Sequence, residues 1–341
     1  MDVKAPRFWQ GGKRSLLATL LTPASWLWTG VGRSRRARTR PWVAPVPVIC
    51  VGNLAVGGAG KTPTVAALAR WFQARGHTPH ILLRGHGGSL SSTGAHKVNP
   101  ATHGVADVGD EALLHARIAP TFIAADRVAG ARVATPGADL IIMDDGHQNP
   151  TLARDLSIIV IDLGFGLGHG RVMPSGPLRE PASEGLARAN AVIAIGNGMV
   201  PRAIARSSLP VMKAHIVPDP SSMHLAGKRV VAVTGIGRPE KFTETLAEMR
   251  AEVTDLFAHP DHHVFSGDDI LRAVDRARDR DAVAVMTAKD HVRLPPEARD
   301  LFQTVDIHLE FQRPDMLDAL LEPLRAQISA SKAQAQQASP A

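Results

Sequence analysis

Residues 48–64 read VICVGNLAVGGAGKTPT, and this stretch decides the fold. A short apolar run, Val48, Ile49, Cys50 and Val51, leads into a glycine-rich turn. Lys61 and Thr62 follow, then a helical pattern through Arg75. Strand, loop and helix in that order are the setting of a phosphate-binding P-loop. Backbone N–H groups of such a loop point inward, and the helix N-terminus adds partial positive charge. Gly57, Gly58, Ala59, Gly60, Lys61, Thr62 and Pro63 are therefore the expected nucleotide-phosphate-binding residues. Lys61 is expected to reach the β/γ-phosphates, and the Thr62 hydroxyl to ligate Mg²⁺. The strict pattern wants glycine five residues before Gly60, and Ala55 stands there.

The chain has 341 residues, 44% of them hydrophobic and 21% charged, an ordinary globular balance. Its single cysteine, Cys50, lies in the first expected strand, so no disulfide framework exists. Net charge is +7, and its placement matters. Residues 1–40 carry nine Lys or Arg against one acid, Asp2; the remainder has 30 basic and 31 acidic residues. The body is neutral and the excess sits in one arm, which disfavours a nucleic-acid-binding body. No obligate protein partner is evident.

Within that arm runs SLLATLLTPASWLWTGVG, residues 15–32. Leu16, Leu17, Leu20 and Leu21 share one helical face. Thr22 and Pro23 read as an N-cap followed by proline at the first helical position. Trp26 and Trp28 suit a membrane–water interface, and basic residues nearby favour an anionic leaflet. The stretch is short and proline-interrupted, which points to an interfacial anchor rather than a spanning helix. A signal peptide and a basic nucleic-acid arm compete with this reading.

From residue 46 to 217 apolar runs alternate with helical patterns. Strands are expected at 46–51, 80–83, 121–124, 140–143, 156–161, 191–195 and 211–216; helices at 62–75, 110–118, 127–134 and 184–189. This is an α/β fold of P-loop NTPase type, a mostly parallel sheet with helices on both faces. Ligands are then expected at the C-terminal ends of strands. The alternation restarts after residue 228, with strands at 229–233, 253–257, 282–286 and 305–311, and helices at 239–249, 268–278 and 314–326. The expected organisation is a membrane-associated arm over 1–40, a P-loop core over 41–222 and a smaller α/β domain over 223–327. Pro323 is expected to kink or end the last helix, leaving a disordered tail over 328–341.

Several clusters carry chemistry. The strand ending in Asp144 and Asp145 occupies the place of a Walker-B carboxylate, against the alternative of a solvated turn. Asp110 and Glu111 open a helix; cap and first-turn acid, or base and metal ligand, are both open. His259, Asp261, His262 and His263 form the densest ionisable group, open to zinc, to acid–base work or to a plain polar loop. The long loop 164–181 carries Arg171 and Arg179, and an earlier loop carries Arg84; each is suited to a phosphate or sugar. A GTPase would need Asn-Lys-x-Asp, which residues 287–290, TAKD, do not supply.

Eight ordered blocks together resemble the tetraacyldisaccharide 4'-kinases of lipid A biosynthesis: VGNLAVGGAGKTP (51–63), LLRGHGG (82–88), VGDEALL (108–114), LIIMDDGHQN (140–149), PSGPLREP (174–181), TGIGRPEKF (234–242), HPDHHVF (259–265) and TAKDHVRL (287–294). The resemblance implies transfer of the ATP γ-phosphate to the 4'-hydroxyl of an acylated glucosamine disaccharide 1-phosphate. It implies ATP and Mg²⁺, a peripheral location at the cytoplasmic face of the bacterial inner membrane, and contact with an anionic membrane surface. Asp110 matches the catalytic Asp that works with the His of Asp261-His262. Glu111, Asp144 and Asp145 match metal-site acids; Arg127 and Gln148 match residues near the active site. The sequence departs from the family pattern at His86, His147, Asn149 and His263, so weaker substrate packing is expected there. The rivals are a membrane-recruited P-loop ATPase switch of the partitioning or targeting type, whose deviant loop carries lysine where Val56 stands, and a non-catalytic nucleotide-binding scaffold.

Overall fold

The computed structural model describes residues 6–9 and 15–338. Lys4, Lys13, Arg14 and the last three residues of the expected tail lie outside them. Eight strands precede the second half: β1 (Val48–Gly52), β2 (Pro79–Leu83), β3 (His96–Lys97), β4 (Thr121–Ile123), β5 (Leu140–Asp144), β6 (Leu156–Asp162), β7 (Ala191–Ile195) and β8 (Val211–Pro218). Five follow: β9 (Arg229–Thr234), β10 (Glu252–Ala258), β11 (Val283–Thr287), β12 (Gln303–Val305) and β13 (Ile307–Phe311).

The large sheet has the order β13-β8-β7-β6-β1-β5-β2-β4-β3. It is parallel from β8 to β4, and both edge strands are antiparallel. β1, β5 and β6 are buried along their whole length because helices cover both faces, so they read as unbroken apolar runs. After β1 the chain works outward on one side, returns to β5, and then builds the other side from β6. The C-terminal end of β1 is therefore a topological switch point, where α/β sheets open a crevice. The register puts Val51 beside Asp144 and Gly52 beside Ile159, so the P-loop and the two acids leave the sheet together.

The small sheet, β10-β9-β11-β12, is wholly parallel. It switches direction at β9, so the loops after β9, β10 and β11 gather at one edge.

Two expectations for the C-terminal part are corrected. The apolar run 305–311 is not one strand. It breaks at Asp306: β12 ends the small sheet, and β13 returns to the large sheet against β8, with Ile307 opposite Pro218. Leu309 joins the core of the large sheet, which the small sheet cannot offer it. The crossing is fastened where Asp219 N–H donates to Asp306 O at 2.9 Å and Asp306 N–H donates to Ser222 Oγ at 2.8 Å. The last helix does not stop near Pro323 either; it runs Pro314–Ala338 with Pro323 inside it. Leu317, Leu321, Leu324 and Ile328 fall on one helical face and are buried in the large core, which holds the helix through the proline. Residues 328–338 are thus helical rather than a disordered tail.

The arm forms the helices Leu16–Leu20 and Thr22–Arg38. Leu21 is the cap residue and Thr22 is already helical, one position on from the expected cap. The longer helix lies on the loop expected to be functional. Ser25 Oγ donates to Val172 O at 2.8 Å, Trp28 Nε1 donates to Arg179 O at 2.9 Å, and Arg33 and Arg36 pair with Glu184 at 2.6 and 2.7 Å. Both helices of the arm leave apolar residues bare: Leu16 in the first is 85% exposed, and Trp26 and Leu27 in the longer one are each 71% exposed. No helix among the described residues is long and apolar enough to cross a membrane.

His147, one of the departures from the family pattern, is buried. Its Nε2 donates to Gly185 O at 2.9 Å and its Nδ1 accepts from Ser157 Oγ at 2.9 Å, tying β6 to the helix Ala182–Leu186. Burial, with the Arg154 and Arg188 charges, holds its pKa down to about 4.

Two outcomes follow from these packing relations. Ile328→Ala is expected to cost roughly 2–5 kcal/mol in denaturant unfolding, while Ser331→Ala, on the exposed side, leaves the midpoint unchanged. Because His147 is neutral when folded and protonates near 6.5 when unfolded, the unfolded chain binds the extra proton. Stability from this group is full above pH 6.5 and is lost as pH falls toward about 4. That gap corresponds to about 3 kcal/mol. His147→Gln keeps both hydrogen bonds, so the stability difference between wild type and variant should change by about that amount across this window; parallel curves would contradict the assignment.

Candidate active site

The P-loop is shaped from within. Gly60 caps the helix Lys61–Gln73 in the left-handed region, φ 90°, and a Cβ there would lie 2.5 Å from Ile195 Cδ1. Buried Asn53 donates through Nδ2 to Ala55 O at 2.5 Å and Gly57 O at 3.3 Å, holding the turn open. The loop is strapped from outside by residues 177–179: Val56 N–H donates to Pro177 O at 2.9 Å and Arg179 N–H to Leu54 O at 2.8 Å. Residues 53–59 and 159–162 line a pocket beside this turn. Gly57, Gly58, Ala59, Gly60, Lys61, Thr62 and Pro63 are contiguous here, with Lys61, Thr62 and Pro63 in the first helical turn.

Asp144 and Asp145 point to different partners. Asp144 ends β5 and is buried; its Oδ2 accepts from His115 Nε2 at 2.8 Å, and its Oδ1 has no hydrogen-bond partner. Asp145 turns into the left-handed region, φ 55°. Arg179 grips both its oxygens at 2.8 and 2.9 Å, and Lys61 Nζ stands 3.6 Å away. Burial pushes the Asp145 carboxyl up, but Lys61 and Arg179 outweigh it and hold it below its ordinary value. Asp145, expected as a metal-site acid, pairs with two cations in this structure. Glu111 shifts the other way: burial, then the Asp144 charge, raises it.

Asp110 opens the helix Asp110–Ala116. Gly109 before it has φ 85°, and a Cβ there would meet His86 O at 2.5 Å, so only glycine lets the loops pass this closely. Asp110 Oδ1 accepts the Glu111 N–H at 2.9 Å. Its Oδ2 faces the small sheet, with His262 Nδ1 at 3.1 Å, Arg293 Nε at 3.1 Å, Arg293 Nη2 in direct contact and Lys289 Nζ at 4.0 Å. Burial raises the Asp110 pKa, but these cations and the His262 bond more than reverse it and hold it well below the carboxylate range. The same bond is the main cause raising His262. His262 sits at φ 59°, held by its N–H on Gly235 O at 3.1 Å. Asp261 does not orient the ring, since its Oδ1 is 3.9 Å from His262 Nε2; it turns toward Lys289 at 3.4 Å.

The zinc alternative for the histidine cluster finds a structural answer. His259 and His263 stack at 4.3 Å and approach Asp269. The Asp269 carboxylate is already taken by Ser266, Arg272 and His263, and it caps the helix Gly267–Asp279. The cluster anchors the loop that presents His262. Asn149 likewise makes local contacts, accepting from Thr151 N–H and hydroxyl at 2.8 and 2.7 Å. Of the four departures, three serve internal contacts and only His86 lies in the open.

The other expected residues divide. Gln148 Nε2 bridges Asn53 O at 3.0 Å and Glu180 at 3.1 Å. Arg127 is buried, donating to Ala124 O at 2.6 Å and Asp145 O at 3.2 Å. Arg84 is exposed, close enough for its charge to lower Arg127. Arg171 instead reaches Thr19 of the arm at 3.4 Å. Sequence reasoning missed His115, Glu180, Lys289 and Arg293, and also Arg238 and Lys241, which reach Asp162 across the cleft. For Arg238, Lys241, Lys289 and Arg293, the unassigned blocks 234–242 and 287–294 were the available signal.

The family model described as Tetraacyldisaccharide-1-P 4'-kinase matches residues 17–325. A tetraacyldisaccharide 4'-kinase from Rhodospirillum centenum is 49% identical over 328 residues, 94% of this chain and 97% of that one. One from Gluconacetobacter diazotrophicus is 46% identical over 321 residues, 93% and 97%. A crystal structure of LpxK from Aquifex aeolicus in complex with ATP shares the fold, with a TM-score of 0.72 at 24% identity over 91% of this chain and 99% of that one. The chain belongs to the tetraacyldisaccharide 4'-kinase family, the ATP-dependent kinases of lipid A biosynthesis.

Proposed function

We propose that this chain transfers the γ-phosphate of ATP to the 4'-hydroxyl of an acylated glucosamine disaccharide 1-phosphate, giving lipid IVA, at the place where Asp110 meets His262. The observation that carries this reading is that contact, 3.1 Å long, between a helix start on the large sheet and a loop end of the small one. Lys61 and the inward N–H groups of the P-loop bind the phosphates and neutralise their charge. Asp145 and Arg179 keep Lys61 aimed at them. Asp110 accepts the sugar hydroxyl and then its proton. A carboxylate held below its ordinary pKa is a weak base but stays ionised. A loose phosphoryl-transfer transition state asks more for orientation of the hydroxyl than for base strength. His262, whose charged form is favoured beside Asp110, fixes that carboxylate and faces the transferring group.

The donor set fits a hard divalent cation. Asp144 Oδ1 is buried without a partner, and Asp144 and Glu111 repel each other's charge, a pairing that a cation would relieve. With the Thr62 hydroxyl, these two acids would hold Mg²⁺, which supplies charge neutralisation at the β- and γ-phosphates.

The arm serves the substrate's location. Its bare apolar side and the exposed Arg35, Arg38 and Arg40 suit an anionic leaflet and support a peripheral position on the cytoplasmic face of the inner membrane, where an acylated sugar is confined.

Asp110→Ala is expected to lower phosphoryl transfer on the order of a thousandfold with purified protein, Mg-ATP and the acyl disaccharide in micelles, while ATP binding persists. Wild-type turnover in that variant would remove the proposed base. Trp26→Asp with Leu27→Asp should weaken sedimentation with anionic phospholipid vesicles by roughly tenfold or more, since each buried side chain contributes about 1.5–3 kcal/mol. Unchanged sedimentation would show that this side of the arm does not meet the bilayer.

A further inference from the structure

The block TAKDHVRL, residues 287–294, has no part in the scheme above, yet it holds a buried cation in contact with Asp110. The Arg293 side chain is 3% exposed. Burying a guanidinium is costly unless its donors are matched. Here Nη1 donates to Gly235 O at 3.0 Å, at the end of β9, and to Asp290 Oδ1 at 2.9 Å. Asp290 is itself fully buried, and its Oδ2 accepts from Thr234 at 3.0 Å and Thr287 at 2.7 Å. These partners fasten Arg293 to the ends of β9 and β11. Its remaining donors, Nε and Nη2, leave the small sheet and go to Asp110 Oδ2, with Nη2 also 3.2 Å from His262 Nδ1.

We propose that Arg293 is a positioning residue for phosphoryl transfer: it seats the small sheet on Asp110 and fixes the carboxylate and His262 against each other. The inference rests on Asp110 being the base. A purely internal role would be met by Asp290 and Gly235, and would not require the fork to reach across the cleft. The geometry also distinguishes the two oxygens of Asp110. Oδ2 is saturated by Arg293 and His262. Oδ1 accepts only a backbone N–H, so Oδ1 is the oxygen that receives the sugar hydroxyl. Lysine cannot substitute, because one ammonium cannot span Gly235 O, Asp290 and Asp110 in a fixed plane.

The test compares Arg293→Ala, Arg293→Lys and Asp110→Ala in the full chain with the micellar substrate. Arg293→Ala is expected to lower kcat about hundredfold, as displaced reacting groups do. Its KM for Mg-ATP stays within about twofold, because the phosphate loop is untouched. Guanidinium ion at sub-denaturing concentration should restore much of the lost rate to Arg293→Ala and none to Asp110→Ala. Arg293→Lys is expected to fold but to melt below wild type, because one ammonium leaves a buried acceptor unpaired, and to lose roughly tenfold in kcat. Wild-type kcat in Arg293→Lys overturns the proposal, as does a folded Arg293→Ala that keeps its rate or that guanidinium does not rescue. Should Arg293→Ala fail to fold, Arg293→Lys decides alone. Active Asp110→Ala would instead overturn the reading on which the proposal rests.

Discussion

The structure turns on one buried carboxylate. Asp110 belongs to the large sheet's side of the molecule, but the charges that keep it ionised belong to the small sheet: His262, Lys289 and Arg293. An ionised acid stripped of water and unpaired would be strongly destabilising, and so would a buried Arg293. Each side therefore depends on the other. A second contact repeats the sign pattern: Asp162, at the end of β6 beside the P-loop pocket, meets Arg238 and Lys241. Acids on the nucleotide-binding side face cations on the other. This mutual need ties the two sheets together at both contacts.

Topology delivers these groups to one place. Both sheets reverse strand order at a central strand, β1 in one and β9 in the other, and both crevices open at the C-terminal ends. The loops after β9, β10 and β11 supply Gly235, His262 and the 288–293 turn. The loops after β1 and β5 supply the P-loop and Asp145, and the end of β6 supplies Asp162. Two adjacent strands, β8 and β13, carry the chain out to the small sheet and back, so the units are joined at one corner and can meet by their loops. The arm is also part of this arrangement. It packs on residues 172–184, whose neighbouring residues 177–179 bond directly to the P-loop, so the apolar surface and the phosphate site share one support.

Much of this was legible in the sequence because it is local. Unbroken apolar runs gave the buried parallel strands, and the glycine turn ahead of Lys61 gave the phosphate site. Asp144 and Asp145 could be placed at a strand end, but not told apart. Only the fold shows one against His115 and the other against Arg179, since β5 ends at Asp144 and the chain turns off it through Asp145 at φ 55°. Arg293 was invisible for a different reason: its partner Asp110 is 183 residues away. The run 305–311 misled because apolar alternation says that a strand is buried, not in which sheet. Pro323 misled because local propensity predicts a break, whereas four buried side chains on one face hold the helix through it.

The central claim is that Asp110 and His262 act as one unit across the two sheets. A double-mutant cycle on kcat with Asp110→Asn and His262→Ala measures this directly. If they form one unit, the double variant is slower than the slower single variant by no more than about threefold, because either change alone already breaks the pair. If the two losses multiply, the residues act independently and the account is wrong.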